Sequence, residues 1–252
     1  MHLAHRTAGH GPPVLLVHGG AENAAMHDRQ ARAIADRGHR VVWYDRRGTG
    51  GSTRDDWPGG GADQHADDAA ALLRELDAVP ATVIGFSSGG VVGLALAARH
   101  PDVVAEVIAW EPAALAVLPD ADELRRTLHG PYERHLDEHP GDWVGAFHVL
   151  LDTLSQGRAD HSAPVVKQAE QNAEAMVRDE GPFLTARAFA PGELPAGKVT
   201  IAVSEAPDPF HSAIAQHLAE LTGRPAVTVE GADTHEVYLR DPDVIAHFLA
   251  SR

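Results

Sequence analysis

Short apolar runs alternate along the chain with longer segments in which apolar residues recur at helical spacing. Each run has five to seven residues and is followed by glycine or a polar residue. Short apolar runs bounded in this way are typical of strands that are buried on both faces. The sequence therefore predicts six strands, at Val14–His18, Val41–Asp45, Ala81–Phe86, Val104–Trp110, Val199–Val203 and Ala226–Glu230.

The segments between several of these strands carry the helical pattern. In the first of them Ala31, Ile34 and Ala35 share one face, and Gly38 supplies a stop signal. The pattern predicts helices at about Asn23–Arg37, Asp67–Leu76, Val91–His100 and Asp241–Ala250. Apolar strands that alternate with helices favour an α/β fold with a mostly parallel central sheet and helices on both faces.

The strand signal disappears between Pro112 and Pro195. This stretch has helical patterns that are interrupted at Gly130-Pro131, Pro140-Gly141 and Gly181-Pro182. We therefore expect a helical insertion over residues 113–194. We expect the α/β core to consist of residues 1–112 and 195–252.

Composition and charge narrow the class of partner. The chain has 252 residues, 44% of them hydrophobic, no cysteine, and a formal charge of −15. A surface of that charge repels phosphate backbones and anionic lipid, so we expect a small-molecule substrate and neither nucleic-acid nor membrane binding. The absence of a long apolar run and of a leader-like start predicts a cytoplasmic protein. No pattern indicates an oligomeric state.

The 17 histidines raise the question of a metal site. His135 and His139 are four residues apart and would share one face of a helix. No third ligand lies at a suitable spacing, and the chain has no H-E-x-x-H motif. We therefore expect no metal ion.

A serine stands between a predicted strand and a predicted helix in the segment Gly85-Phe86-Ser87-Ser88-Gly89. Small residues at Gly85 and Gly89 would let the strand and the helix approach closely, which a sharp turn at Ser87 requires. The helix amino terminus beside the serine favours developing negative charge. This G-x-S-x-G arrangement indicates a nucleophile elbow.

Over essentially its full length the chain resembles the α/β-hydrolase superfamily. Four motifs in the order of that family carry the resemblance: His18-Gly19-Gly20 after the first strong strand, the loop Asp45–Ser52, the Ser87 elbow, and His235 after the last strand. A serine at the elbow, where relatives with dehalogenase or epoxide-hydrolase activity have aspartate, argues against both of those activities. We interpret Asp45 and Arg47 as stabilising their loop by hydrogen bonds and charge pairing.

The resemblance implies a cofactor-free serine hydrolase with Ser87 as nucleophile and His235 as base. A serine hydroxyl needs a base near neutrality, and a carboxylate must fix the imidazole tautomer. The resemblance also implies an oxyanion hole formed by the backbone N–H groups of Gly20 and Ser88. The family's proteins of this kind cleave small esters, thioesters or lactones through an acyl-enzyme.

The carboxylate partner of His235 is open between two residues. Asp208 follows the penultimate strand, where the family usually carries the acid, but its segment is one residue longer than usual and lacks a glycine. Glu111 directly follows an apolar strand, and a charged residue at such a position suggests a specific role for the carboxylate. Glu205 is a third option, and the absence of a triad acid is a fourth.

The insertion contains a stripe in which Trp143, Phe147 and three leucines recur at helical spacing. The stripe fits packing against the core, and it also fits an apolar lining for substrate in a cap, to which His148 would add a polar contact. Two rival functions use the same residues. One is carbon–carbon bond hydrolysis, perhydrolysis, lyase or cyclase chemistry with the same triad, and the other is a non-catalytic small-molecule-binding protein.

Overall fold

A seven-stranded sheet forms the centre of the computed structural model, which describes residues 1–252. The spatial order is β1-β3-β2-β4-β5-β6-β7, with β1 antiparallel to β3 and every other neighbouring pair parallel. The strands are β1 His5–Ala8, β2 Pro13–Val17, β3 Arg40–Tyr44, β4 Ala81–Phe86, β5 Val104–Trp110, β6 Val199–Val203 and β7 Val227–Thr228. The predicted α/β fold is confirmed.

The sequence analysis did not predict β1. The strand has four residues, three of them exposed, so it has neither an apolar run nor alternation. Its hydrogen bonds to β3, with His5 opposite Tyr44, create the strand. A pairing between distant segments leaves no signal in the local pattern.

Ten α-helices, three short 3₁₀ helices and one π-helix complete the fold. The α-helices are α1 Asp28–Ala35, α2 Gly61–Glu75, α3 Ser88–Arg99, α4 Ala121–Glu138, α5 Trp143–Ser155, α6 Pro164–Ala169, α7 Ala173–Ala175, α8 Pro209–Thr222, α9 Val237–Arg240 and α10 Pro242–Ala250. The 3₁₀ helices span Ala24–His27, Leu115–Val117 and Glu170–Asn172, and the π-helix spans Met176–Leu184. No helix combines the length and the apolar character that crossing a membrane would require.

Alternate residues of the central strands supply the two hydrophobic cores. In β4, Val83 belongs to the larger core with α2, α3 and α8, whereas Ile84 and Phe86 belong to the smaller core with α1 and α10. Successive side chains of a strand point to opposite faces, so a strand between two helical layers must be apolar at every position. This explains why the strands read as continuous apolar runs.

The strand order changes direction between β2 and β4. From β2 the chain crosses to β3 on one side, and from β4 it crosses to β5 on the other. In an open parallel sheet this switch point leaves a crevice beyond the carboxyl ends of the two strands, and ligands bind there. The loop after β2 and the turn after β4 therefore meet at one edge of the sheet, although they are far apart in sequence.

The stretch between β5 and β6 contains helices and no strand. Its interior is a separate cluster of buried apolar residues. Ala21, in the loop after β2, is the buried member of that cluster that comes from the α/β core. The expected interruptions at Gly130-Pro131 and Gly181-Pro182 are wrong, because α4 runs through Pro131 and the π-helix through Pro182. The third, at Pro140-Gly141, does separate α4 from α5. A proline inside a helix removes one backbone donor, and its ring crowds the carbonyl four residues earlier. We keep the term helical insertion for residues 113–194.

The close approach of α3 to the end of β2 can be tested by a substitution at Gly89. A β-carbon on Gly89 would overlap the carbonyl oxygens of Val17 and His18, which are backbone atoms that cannot rotate away. We expect Gly89→Ala to lower the free energy of unfolding by about 2–3 kcal/mol and Tm by roughly 4–12 °C. Thermal and urea unfolding check this.

Gly130→Ala is the matched control for that substitution. Gly130 also lies in a helix, but its β-carbon would meet only the flexible end of Arg134, at 3.3 Å. Replacing a helical glycine by alanine there should leave stability unchanged or raise it by up to about 1 kcal/mol. Equal stability of the two variants would show that the close approach at Gly89 is not a constraint.

Candidate active site

Ser87 occupies the turn between β4 and α3 in a strained backbone conformation. Its φ of 51° and ψ of −116° lie outside the regions that residues with side chains ordinarily adopt. The Ser87 N–H donates to the carbonyl oxygen of Trp110 at 2.9 Å. A β-carbon on Gly85 would overlap the carbonyl of Gly89. The predicted elbow geometry and the role of both glycines as spacers are confirmed.

His235 forms a hydrogen-bonded pair with Glu111. The distance from His235 Nδ1 to Glu111 Oε2 is 2.7 Å, and the other carboxylate oxygen accepts bonds from the Ser204 N–H at 2.8 Å and the Ser204 hydroxyl at 2.6 Å. The indole Nε1–H of Trp110 donates to the His235 carbonyl oxygen at 2.9 Å. His235 is thus tied to the end of β5, the strand that also receives the Ser87 N–H.

The electrostatics of this pair favour a charged carboxylate beside a basic imidazole. Burial alone would lower the pKa of His235, but the hydrogen bond and the negative charge of Glu111 outweigh it, and the pKa lies above its ordinary value of 6.5. Burial alone would raise the pKa of Glu111. The bonds from His235 and Ser204 outweigh that effect and hold the pKa below 4.5.

Asp208, the other candidate partner of His235, is engaged elsewhere. Its carboxylate caps the amino terminus of α8 by accepting bonds from the N–H groups of Phe210 and His211, each at 2.9 Å, and it contacts His211 Nδ1 at 2.7 Å. The bond and the charge of His211 outweigh partial burial and lower the pKa of Asp208 to about 2. The structure brings Glu111 to His235 and leaves Asp208 as a helix cap. The Asp-Pro sequence explains this, since aspartate suits the cap and proline the first helical position.

Glu205, the third option, also lies away from the imidazole. Its carboxylate accepts a hydrogen bond from the Gly231 N–H at 2.8 Å, in the loop after β7. Its own N–H donates to the Ala232 carbonyl at 2.7 Å. Glu205 therefore fastens the loop that leads to His235.

Hydrogen bonds fix the loop after β2 in a conformation that leaves the N–H of Gly20 without a partner. The Gly19 N–H donates to Glu22 Oε2 at 2.7 Å, and Glu22 also contacts His27 Nε2 at 2.7 Å and the Tyr238 hydroxyl at 2.8 Å. Gly20 donates no hydrogen bond to another loop or side chain. The Ser88 N–H is the first of α3, where helix donors have no intrahelical partner. The two expected oxyanion donors are thus free.

His18 supports this loop and stays neutral. Burial and the nearby charge of Arg46 lower the pKa of His18 well below its ordinary value. Its Nε2 accepts a hydrogen bond from the Arg46 N–H at 3.1 Å, and its Nδ1 donates to the Gly19 carbonyl at 2.8 Å. Both ring nitrogens are occupied by backbone groups, so His18 orders the loop.

Side chains of the Asp45–Ser52 motif stabilise their own loop and its neighbours by hydrogen bonds and an ion pair. Asp45 accepts from the N–H groups of Ala24 at 2.7 Å and Gly51 at 2.8 Å. Arg47 forms a two-pronged ion pair with Asp68 at 2.8 and 2.7 Å. The interpretation of Asp45 and Arg47 as loop-stabilising residues is confirmed.

A histidine that the sequence analysis did not single out stacks on His235. The ring centroids of His211 and His235 are 4.4 Å apart and the planes differ by 17°. Ligand atoms of Glu111, His211 and His235 lie within 4.8 Å of one another. The nitrogen lone pairs of two stacked imidazoles lie in parallel planes and do not converge on one point. A metal ion could therefore bind His211, His235 and Glu111 together only after one of the two rings turned. His135, the other metal candidate, pairs with Asp142 at 2.8 Å.

The three expected substrate-binding side chains make their contacts inside the helical insertion. Phe147 is buried in the apolar cluster of the insertion, and Trp143 lies under the guanidinium of Arg178, 5.4 Å from the ring centroid. His148 contacts Glu170 at 2.8 Å. Met176 instead reaches the loop after β2: its sulfur lies 2.8 Å from the position that a β-carbon on Gly20 would take.

Sequence reasoning missed Glu22, which lies in the loop after β2, and Arg46 and Glu180, which contact that loop. Arg46 and Glu180 form an ion pair at 2.8 Å in which each side chain is only 1% exposed. Glu180 is 134 positions from Arg46 along the chain, so no local spacing signals the contact. Glu111 did carry a signal, namely a charge directly after an apolar strand.

The sequence matches the profile of the α/β-hydrolase fold family over residues 12–137, which is half of the chain. An uncharacterized hydrolase of Bacillus subtilis strain 168, YraK, is 40% identical over 117 residues, covering 46% of this chain and 43% of that protein. The non-heme chloroperoxidase CPO-A1 of Kitasatospora aureofaciens is 40% identical over 82 residues, covering 32% and 30%. In these matches the chain spans less than half the length of either relative.

A solved structure resembles the whole chain. The α/β hydrolase from Sphaerobacter thermophilus DSM 20745 superposes with a TM-score of 0.72 and 25% sequence identity, over 99% of this chain and 95% of that one. The resemblance includes the stretch between β5 and β6, which lies mostly beyond the matched profile.

The titration of His235 tests the pair with Glu111. Glu111→Gln removes the negative charge that raises the pKa of His235 and leaves the burial that lowers it. We therefore expect the His235 imidazole, followed by NMR and assigned with His235→Ala, to titrate above 6.5 in the wild type and at a lower pH in the variant. Asp208→Asn is the control and should move the His235 titration less. A larger shift in the control would return Asp208 to the role of partner.

Proposed function

The chain belongs to the α/β-hydrolase family, a family of enzymes, and we propose that it is a serine hydrolase of small esters, thioesters or lactones. Ser87 is the nucleophile, His235 the base and Glu111 the acid of this proposal, and the N–H groups of Gly20 and Ser88 are the oxyanion donors. The observation that carries it is the 2.7 Å bond between His235 and buried Glu111, together with a strained elbow at Ser87 that Trp110 connects to His235.

In the first step Ser87 Oγ attacks the substrate carbonyl while His235 Nε2 takes its proton. Glu111 holds the imidazole through Nδ1, which leaves Nε2 as the acceptor, and its negative charge stabilises the imidazolium that forms. The Ser87 side chain makes no capping bond to α3, so its hydroxyl is available to the base and the substrate. The 2.6 Å bond from Ser204 keeps the carboxylate ionised and in place.

The negative charge then moves to the former carbonyl oxygen. Free N–H donors at Gly20 and Ser88 would bind this oxyanion, and each donor in comparable sites contributes on the order of 3 kcal/mol to the transition state. Collapse of the tetrahedral intermediate breaks the bond to the leaving group, which takes the proton from His235. Water, activated by the same imidazole, hydrolyses the acyl-enzyme and restores Ser87. The sequence of steps needs no cofactor.

The helical insertion would bound the acyl site. Met176 contacts the loop that carries Gly20, whereas Trp143, Phe147 and His148 pack within the insertion. We therefore propose that Met176 lines the substrate site and that the other three act by shaping the insertion. A flexible thioether suits an acyl group of small and variable shape.

Perhydrolysis is the second candidate, favoured by the similarity to a non-heme chloroperoxidase over part of the chain. Hydrogen peroxide would replace water in the last step, attack the acyl carbon and release a peroxyacid and free Ser87. The two reactions share the acyl-enzyme, so the ratio of peroxyacid to acid formed at fixed peroxide separates them.

The nucleophile is tested by intact mass after incubation with a fluorophosphonate. We expect one covalent adduct on the wild type and none on Ser87→Ala, because only an activated serine attacks phosphorus. The same substitution should lower kcat for p-nitrophenyl butyrate by about 10³- to 10⁶-fold. Ser251→Ala, at an exposed serine that follows α10, is the control for labelling at another serine and should retain the adduct. A folded wild type that remains unlabelled, also by a smaller fluorophosphonate, would favour a non-catalytic binding protein.

The acid is tested by matched amide substitutions. Glu111→Gln should lower kcat by about 10²- to 10⁴-fold, because the amide no longer stabilises the imidazolium. Asp208→Asn should change kcat less than about 3-fold and act mainly on stability through the cap of α8. Steady-state kinetics with thermal unfolding of both variants measure this. The reverse order of effects would contradict the assignment of Glu111.

A further inference from the structure

Glu180 is a buried carboxylate that the proposed mechanism does not use. It lies in the π-helix Met176–Leu184, where the Thr185 N–H donates to the Glu180 carbonyl at 3.0 Å, and its side chain is 1% exposed. A π-helix is rare and occurs frequently at functional sites. A buried charge is costly, so its contacts indicate why it is there.

The carboxylate of Glu180 touches both segments that carry the proposed oxyanion donors. One oxygen accepts the Ala21 N–H at 3.3 Å, directly after Gly20, and the other accepts the Ser88 hydroxyl at 2.6 Å. The two donors, of Gly20 and Ser88, are 68 positions apart, one in the loop after β2 and one at the start of α3. Glu180 connects these two segments from the helical insertion.

Arg46 completes the arrangement and neutralises the charge. Its Nη2 lies 2.8 Å from Glu180 Oε2 and donates to the Gly19 carbonyl at 2.9 Å. An unpaired carboxylate beside an oxyanion hole would oppose the developing negative charge, whereas an ion pair has little net field. The pair therefore fastens the loop without opposing the oxyanion.

The segment Gly19–Ala21 has no polar side chain of its own, so it depends on side chains around it. Gly19 and Gly20 have no side chains, and Ala21 is held at a φ of 56°, which is unfavourable for a residue with a side chain. Glu22 holds the Gly19 N–H on one side, and Glu180 holds the Ala21 N–H on the other. The Gly20 N–H is held through these neighbours and through the Gly19 carbonyl of its own peptide unit, which accepts bonds from His18 and Arg46.

We propose that Glu180 is a positioning residue that sets the oxyanion hole, so that the docked helical insertion completes the catalytic machinery. The inference rests on the proposed serine hydrolysis, because it assigns Glu180 an effect on the oxyanion of that reaction. It predicts a loss of transition-state stabilisation with little loss of substrate binding.

Two variants and one control test this proposal. Glu180→Gln keeps the size of the side chain but removes the charge that pairs with Arg46. Ser88→Ala removes one contact of Glu180 and keeps the backbone donor, so it avoids an unpaired buried charge. Asp179→Asn is the control, because neighbouring Asp179 is also buried and contacts His65 Nε2 at 2.8 Å and the Gly59 N–H at 3.2 Å.

The measurement combines kinetics with a transition-state analogue. Ser87 Oγ adds to the carbonyl carbon of a trifluoromethyl ketone, its proton passes to His235, and the carbonyl electron pair becomes an oxyanion. We expect Glu180→Gln to lower kcat for p-nitrophenyl butyrate by about 10- to 100-fold with KM within about 3-fold, and to raise the ketone Ki by the factor lost in kcat/KM. Ser88→Ala should show a smaller change of the same kind. All values are taken per active site titrated with the fluorophosphonate.

The outcomes separate the two proposals. Asp179→Asn should lower Tm and leave the ketone Ki unchanged. Wild-type Ki and kcat in both Glu180→Gln and Ser88→Ala would overturn the role of Glu180 and leave serine hydrolysis intact. An equal rise in Ki for Asp179→Asn would overturn it as well, since loosening the π-helix alone would then account for the effect. A wild type that neither hydrolyses esters nor reacts with the fluorophosphonate would overturn both proposals.

Discussion

Two consecutive residues at the end of β5, Trp110 and Glu111, connect the parts of the site that the chain brings from far apart. The carbonyl of Trp110 receives the Ser87 N–H, and its indole donates to the His235 carbonyl. Glu111 binds the imidazole of His235 itself. The end of β5 therefore positions both the Ser87 elbow and the His235 imidazole, and a displacement of β5 would move the two together. In a site where an ångström matters, a common support is worth more than the strength of any single bond.

That support requires an unusual backbone conformation. Glu111 has a φ of 35°, and its N–H donates to the Ala202 carbonyl at 2.8 Å. Residues in such conformations persist only when the surroundings over-determine them. Ser204 supplies two bonds to the carboxylate from the end of β6, and His235 supplies the third. Adjacent parallel strands end at one edge of the sheet, which lets β6 stabilise a strained residue of β5.

Three carboxylates, those of Glu22, Glu111 and Glu180, surround a site whose proposed reaction develops a negative charge. Each of them contacts a basic side chain, namely His27, His235 and Arg46. Removing one partner of a buried pair leaves an uncompensated charge, which costs about 3–5 kcal/mol in proteins. The pairs of Glu111 and Glu180 connect segments that are far apart in the sequence, whereas Glu22 and His27 are five residues apart.

The sequence alone determined six of the seven strands and the nucleophile turn. The apolar runs predicted the strands because burial on both faces requires an apolar side chain at every position of a strand. Gly85 and Gly89 predicted the elbow because a β-carbon at either position would overlap neighbouring backbone atoms. Only the tertiary structure decided between Asp208 and Glu111, added β1, and assembled the contacts of Glu180. These depend on where distant segments meet, and a side chain's partner across the fold leaves no trace in its neighbours along the chain.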